Sequence, residues 1–265
     1  MRFKLILFCI ILFPFVYTLN SQTNNCKTPE CYNEMISPCS CYVYSDWAES
    51  YELVVLDKFP LCTLEVKVCY RQCLDGPNGP EEARKCVQMY VKGISILYNC
   101  LPNCTDFIDY IFAEGDTYLQ ARRSRYIINH CIEAVAKIWF GEFVQDCLDD
   151  GISYGPCDDP TQTRYKVHAF LGKCYAFCYT KKPIENPDVE LLITPINCTN
   201  NYCCIRTIEL CYDEATGQVR STVSMTTTGD PPCYSAEIPS ISNCPPGFET
   251  TVTGCIESCY DDDEP

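Results

Sequence analysis

Cys62-Thr63-Leu64-Glu65-Val66-Lys67-Val68-Cys69-Tyr70 is the stretch that decides the fold class. Leu64, Val66 and Val68 recur at every second residue, the period of a half-buried β-strand. A cysteine closes the run at each end. Residues seven apart in a strand point to opposite faces, so such a strand can be tacked to both sides of its sheet. Cys204-Ile205-Arg206-Thr207-Ile208-Glu209-Leu210-Cys211-Tyr212 repeats the layout. Two related β units with a helical insert between them would account for the match. Coincidence is the rival account, because Cys-Tyr occurs eight times, beginning at Cys31, Cys41, Cys69, Cys174, Cys178, Cys211, Cys233 and Cys259.

Outward from the first strand, residues 22–77 form a cysteine-rich β region. It ends at Asp75-Gly76-Pro77-Asn78-Gly79-Pro80, a dense turn signal. Residues 78–152 read as helical. Pro80 suits a first helical position, and Glu81 and Glu82 suit a first turn. Cys86, Val87, Tyr90, Val91, Ile94, Leu97 and Tyr98 then form one stripe at helical spacing. Pro102 interrupts it. Over 117–140, Ile128, Cys131, Ile132, Val135, Ile138 and Trp139 fall on one helical face. Arg122, Arg123, Asn129, His130, Glu133 and Lys137 fall on the other. On their apolar stripes, Cys86 and Cys131 are placed for single bonds tying helices to neighbours.

Residues 153–232 return to β texture. Val167, Ala169 and Leu171 alternate with Lys166, His168 and Phe170. Residues 205–212 and 218–228 flank Asp213-Glu214-Ala215-Thr216-Gly217 as a hairpin with a five-residue loop. Residues 233–265 read as an irregular cystine loop and an acidic tail. The expected fold is therefore α+β and disulfide-rich, with β regions flanking a central helical segment.

The chain begins Met1-Arg2-Phe3-Lys4, runs apolar from Leu5 to Tyr17 and turns polar at Thr18 to Gln22. That order is a secretory signal peptide, here residues 1–21. The apolar run is shorter than the ~20 residues of a membrane-spanning helix, and no second long run follows. Removal of the leader takes away Cys9 and leaves 23 of the 24 cysteines. Export and cysteine density agree, because disulfides persist in oxidising compartments. The expected location is secreted or at the cell surface, or periplasmic in a bacterium. An odd count leaves one thiol free or joined to another chain, which would make a covalent homodimer.

The net charge of −15 becomes −17 once Arg2 and Lys4 are gone. Nucleic acid is thereby excluded as a partner class, since phosphate binding needs a basic surface. Six acids, Glu142, Asp146, Asp149, Asp150, Asp158 and Asp159, lie within 142–160 without a Lys or Arg.

Motifs for chemistry are sparse. Cys203-Cys204 followed by Cys211-Tyr212 resembles the catalytic helix of secreted phospholipases A2. The six residues between carry no histidine, so that activity is not expected. Cys244-Pro245-Pro246-Gly247-Phe248 with Gly254-Cys255 and Cys259 resembles the ends of epidermal-growth-factor-like and trypsin-inhibitor-like modules, without their full cysteine frame. Four cysteine pairs stand four residues apart: Cys69/Cys73, Cys100/Cys104, Cys174/Cys178 and Cys255/Cys259. In an oxidising compartment they read as disulfides, not zinc ligands. Asp146, Asp149, Asp150 and Gly151 hint at calcium, but Leu148 and Cys157 stand where an EF-hand loop wants acids, and a solvated acidic loop is the expectation. His130 and His168, the only two histidines, are both expected in solvent. Asn103-Cys104-Thr105 and Asn197-Cys198-Thr199 are glycosylation sequons if the cell is eukaryotic. No catalytic, metal or cofactor residue stands out. The expectation is a non-catalytic extracellular binding or structural protein with an unknown extracellular protein or glycan as partner. The alternatives are a secreted carboxylate-based hydrolase and a protease-inhibitor-like or toxin-like effector.

Overall fold

A computed structural model describes residues 26, 39–112, 115–150, 157, 164–198, 203–213, 215–227, 233 and 238–259, with the backbone alone at 150. The expected leader, the acidic tail and most of the 151–163 segment lie outside the described residues. The elements in chain order are β1 (Val43–Tyr44), β2 (Ala48–Val55), β3 (Thr63–Asp75), α1 (Pro80–Ala83), β4 (Cys86–Leu97), α2 (Thr105–Phe112), α3 (Thr117–Asp150), β5 (Tyr165–Gly172), β6 (Cys174–Pro183), β7 (Val189–Asn197), β8 (Cys203–Asp213), β9 (Gln218–Thr227), β10 (Gly247–Val252) and β11 (Ile256–Glu257).

The quoted stretch is a strand, as its alternation requires. Leu64, Val66 and Val68 are fully buried within β3. β2 and β4 flank β3, both antiparallel. β4 is where the sheet forks. Its first half, Cys86 to Met89, runs parallel to β5, and its second half, Ile94 to Leu97, runs antiparallel to β7. One arm continues β5-β8-β9, and the other continues β7-β6-β10, with β11 also on β6. Only Lys173 separates β5 from β6, so one run of chain serves both arms.

Residues 86–97 are therefore a strand, where the stripe predicted a helix. The cause is visible in the register. Lys67 pairs with Gly93 and Val68 with Val91, leaving Lys92 as a bulge residue in β4. Before the bulge Val87, Met89 and Val91 face α3. After it the parity flips, and Ile94 and Ile96 face α3 too. A strand with a bulge thus imitates the three-residue step of a helix. Gly93 beside the bulge admits β7, since a Cβ there would sit 3.1 Å from Leu192 Cδ1 and 3.3 Å from the Ile193 carbonyl oxygen. The start signal at Pro80 is real but yields only the single turn of α1.

α3 is the expected helix and runs ten residues past residue 140. Ile128, Cys131, Ile132 and Val135 are fully buried against the sheet, whereas Ile138 and Trp139 are half-buried. Asn129, assigned above to the polar face, is also fully buried. The hairpin of β8 and β9 forms, with Asp213 paired to Gln218, so its loop is one residue shorter than expected. Asp213 belongs to the turn chemistry: its Oδ1 accepts from the Ala215 and Thr216 amides, and Arg220 pairs with Oδ2. The end of the chain is more regular than expected. Residues 247–252 and 256–257 add strands β10 and β11 to β6, because Cys178–Cys244 and Cys198–Cys255 hold a Thr- and Val-containing run against it.

Nine disulfides join described residues: Cys26–Cys69, Cys39–Cys86, Cys41–Cys73, Cys62–Cys104, Cys157–Cys211, Cys174–Cys233, Cys178–Cys244, Cys198–Cys255 and Cys204–Cys259. No member of the four-apart pairs bonds its neighbour. In a strand such residues lie ~13 Å apart on one face, well beyond disulfide reach. Both matching strands, β3 and β8, are bonded at each end, Cys62 and Cys69 to Cys104 and Cys26, and Cys204 and Cys211 to Cys259 and Cys157. Cys86 carries a bond, but Cys131 does not: Cys100, Cys131 and Cys147 all carry thiols, where an odd count required only one. No described helix is long and apolar enough to cross a membrane.

Candidate functional site

A cleft of about 390 Å³ opens between the second half of α3 and the edge formed by β2 and β3. Its most prominent rings are Trp139 of α3 and Tyr70 of β3, both half-buried, with centroids 5.1 Å apart. Trp139 is held by its indole, which donates to Glu52 Oε1 of β2 at 2.9 Å. The same oxygen accepts from Ser50 Oγ at 2.7 Å. Phe143 and Tyr165 form the floor, their rings 5.0 Å apart and almost wholly buried. Burial raises the Tyr165 phenol, and the neighbouring Glu142 charge adds to the shift, so its hydroxyl stays protonated.

Glu142 and Asp146 are exposed one helical turn apart on α3, and both line the cleft with Glu52. Arg84 is the one cation of the lining. Two acids of the 142–160 run thus become part of a site once α3 places them beside rings from β3 and β5. Asp149 lies further along the helix and accepts from Gln145 at 3.1 Å. Because the helix continues through Asp150, the acids Asp146, Asp149 and Asp150 stand on a helix and not in the solvated loop expected for them. Gly151, Asp158 and Asp159 lie outside the described residues.

The two histidines part company. His130 is half-buried, its ring 4.2 Å from that of Tyr126. His168, expected in solvent, is 3% exposed. It faces away from α3, where its Nδ1 lies 2.9 Å from Thr207 Oγ1. Desolvation pulls its pKa down to about 4, with the nearby Lys166 charge acting in the same direction and Glu209 against it. The alternation that put it on a polar face was right. What covers that face, the segment leading into β1 with its cystines, was not visible from β5 alone. The same buried layer holds Gln88, which accepts from Arg71 Nε at 2.8 Å and donates to the Tyr44 hydroxyl at 3.0 Å.

Of the two sequons, Asn103 is exposed at the end of a 3-10 turn, with Thr105 also exposed. Asn197 is exposed at the end of β7, and Thr199 lies outside the described residues. Cys100, in the same 3-10 turn as Asn103, is the only thiol among the described residues that is not buried. The 244–259 segment that resembles cystine modules lies along β6 as β10 and β11, with Phe248 highly exposed.

No protein-family model matches the chain, and no curated protein or solved structure gives a significant match.

Proposed function

We propose that this chain is a secreted, non-catalytic binding protein whose partner is an extracellular protein presenting a Lys or Arg side chain to the α3 cleft. The observation that carries this reading is the composition of that cleft. Two half-buried rings, Trp139 and Tyr70, stand beside three carboxylates, Glu52, Glu142 and Asp146. Ring faces attract cations through their quadrupole, and carboxylates add charge-assisted hydrogen bonds. The acidic balance of the whole chain would speed encounter with a basic partner. Bracing by nine disulfides would keep the cleft pre-organised.

A basic peptide such as hexa-arginine is a direct probe, read by Trp139 fluorescence. The Glu142→Gln/Asp146→Asn variant should bind it ~5–10-fold more weakly, as expected for the loss of two part-screened charge contacts. Added salt should weaken the unmodified protein likewise. Salt-insensitive binding of a neutral oligosaccharide, with none of the peptide, would replace this partner by a glycan. The carboxylates also favour a second reading, a carboxylate-based hydrolase. Turnover of glycosides that disappears in Glu142→Gln would establish it in place of the first.

A further inference from the structure

β2 is an edge strand. Its eight residues, Ala48 to Val55, pair with β3 in unbroken register, and among the described residues no strand pairs with its outer side. The backbone donors and acceptors along that side are a template for another strand. Natural edges are blunted by lysine, proline or a bulge, and β2 has none of the three. Its two rows of side chains differ. Away from α3, Tyr51, Leu53 and Val55 are 46%, 62% and 52% exposed, an apolar row at every second position. Glu49, at the head of that row, is already paired with Lys67 at 2.8 Å and Lys92 at 3.1 Å. Glu65, opposite Leu53, lies one strand further in. Toward α3, Ser50 and Glu52 form part of the wall of the α3 cleft. Glu52 holds the Trp139 indole, and among the described residues neither it nor Glu142 nor Asp146 is in an ion pair. Against these three carboxylates the lining sets one cation, Arg84.

We infer that β2 receives an extended segment of the partner protein as an added strand, and that this segment alternates basic with apolar residues. This rests on the cleft taking a basic partner, and adds how that partner is held. Side chains directly opposite each other in neighbouring strands share a face, with Cβ atoms ~4.5–5.5 Å apart. Residues of the incoming strand opposite Ser50 and Glu52 therefore turn toward α3. A Lys or Arg there meets the Glu52 carboxylate and the Trp139 ring, with Glu142 and Asp146 further along the cleft. Residues opposite Tyr51, Leu53 and Val55 turn the other way, and apolar side chains there cover the exposed row. Main-chain hydrogen bonds along the edge give affinity whatever the sequence, and the alternation gives specificity.

A second copy of this chain fits the same edge less well. Edge-to-edge pairing would bring two acidic clefts and two chains of net charge −15 to one seam, where like charges oppose association.

The test uses the intact, oxidised chain and two peptides of one composition, the alternating Arg-Val-Arg-Val-Arg-Val-Arg and the block isomer Arg-Arg-Arg-Arg-Val-Val-Val, with hexa-arginine alongside. Binding is read by tryptophan fluorescence and by amide exchange. The alternating peptide should bind at least ~10-fold more tightly than the block isomer, about the worth of one net main-chain hydrogen bond. It alone should slow amide exchange across residues 49–55. Leu53→Thr should weaken the alternating peptide ~3–5-fold, the loss of about one methylene-sized contact, and leave hexa-arginine unchanged. Equal binding of the two isomers, or unaltered exchange across 49–55, overturns strand addition while leaving the cleft's affinity for cations intact. Failure of hexa-arginine and both isomers alike overturns the cleft reading, and strand addition with it. A dimer in sedimentation whose β2 amides are protected without peptide gives the edge to a second copy, and overturns the inference equally. The isomers are compared on the unmodified protein, so the result stands even where Leu53→Thr fails to fold.

Discussion

The two faces of β3, β4 and β5 are built from alternate residues of the same strands and are held by different forces. Toward α3 the strands offer Val66, Val68, Val87, Met89, Val167 and Ala169, all buried in one apolar cluster with α3. Away from α3, the neighbouring positions are Arg71, Gln88 and His168, polar groups at a cation–hydrogen-bond layer with Tyr44 and Trp47. The first face belongs to a large apolar cluster, within which the Cys62–Cys104 disulfide also lies. The second has only the small cluster of Phe170, Cys203 and Ile205, and there Cys26–Cys69, Cys39–Cys86 and Cys41–Cys73 pin the covering segment covalently. Disulfides in this chain are therefore not a uniform brace: three of them substitute for a missing hydrophobic layer.

The largest expected effect breaks the apolar face. Phe140 is fully buried in α3 against Tyr165 and Phe143. Phe140→Ala should cost ~3–5 kcal/mol of unfolding free energy through lost transfer and the cavity left behind. Denaturant melts with every disulfide intact would measure it. A cost below ~1 kcal/mol would mean that the cystines, and not burial, hold this face as well.

The next effect belongs to the polar face and to pH. His168 titrates at about 4 when folded, against ~6.5 when unfolded. A depressed basic group favours folding above its unfolded pKa, and that contribution is lost as pH falls toward the folded value. Over the window from ~6.5 to ~4 the linked change is on the order of 3 kcal/mol. His168→Gln should flatten that part of the stability–pH curve and leave other acid-linked losses in place. An unchanged slope would place the linked protons on carboxylates instead.

These two faces were unequally legible in the sequence. Leu64, Val66 and Val68 announce a strand because nothing in their run competes with a period of two. Residues 86–97 misled because the bulge at Lys92 re-phases the strand, and a bulge is set by what pairs alongside, not by the segment itself. His168 misled for a related reason: alternation fixes which face a residue takes but not what covers that face. The cleft was legible only in halves. The acidic run containing Glu142 and Asp146 was plain, yet its meaning depends on Tyr70 and Tyr165 arriving from strands far away in the chain. The start of α3's apolar stripe could be read because Ile128, Cys131, Ile132 and Val135 repeat over several turns without a break.

A smaller effect tests the thiol inside the apolar face. Cys131 is fully buried, and desolvation raises its thiol well above the ordinary range, so it behaves as a small apolar side chain. Cys131→Ser should cost ~1–3 kcal/mol by burying a hydroxyl among apolar neighbours, whereas Cys131→Ala should cost less. Native alkylation should label Cys100 first and leave Cys131 untouched. Fast labelling of Cys131 would reveal that α3 lifts from the sheet on the timescale of the reaction.

The smallest effect lies at the far edge of the sheet, where no residue of β10 is itself buried. Lys181 of β6 and Glu249 of β10 pair at 2.8 Å, directly opposite each other in register, and both side chains are about half exposed. Water screens such a pair, and ordering two long side chains opposes it, so a double-mutant cycle should return only ~0.2–1 kcal/mol, falling further with salt. β10 depends instead on its ladder to β6 and on Cys178–Cys244. Replacing both cysteines by alanine should therefore loosen β10 more than any change to the ion pair, with faster amide exchange confined to residues 247–252. If the ion-pair cycle gave the larger value, charge would be doing at this edge what cystines do beneath the polar face.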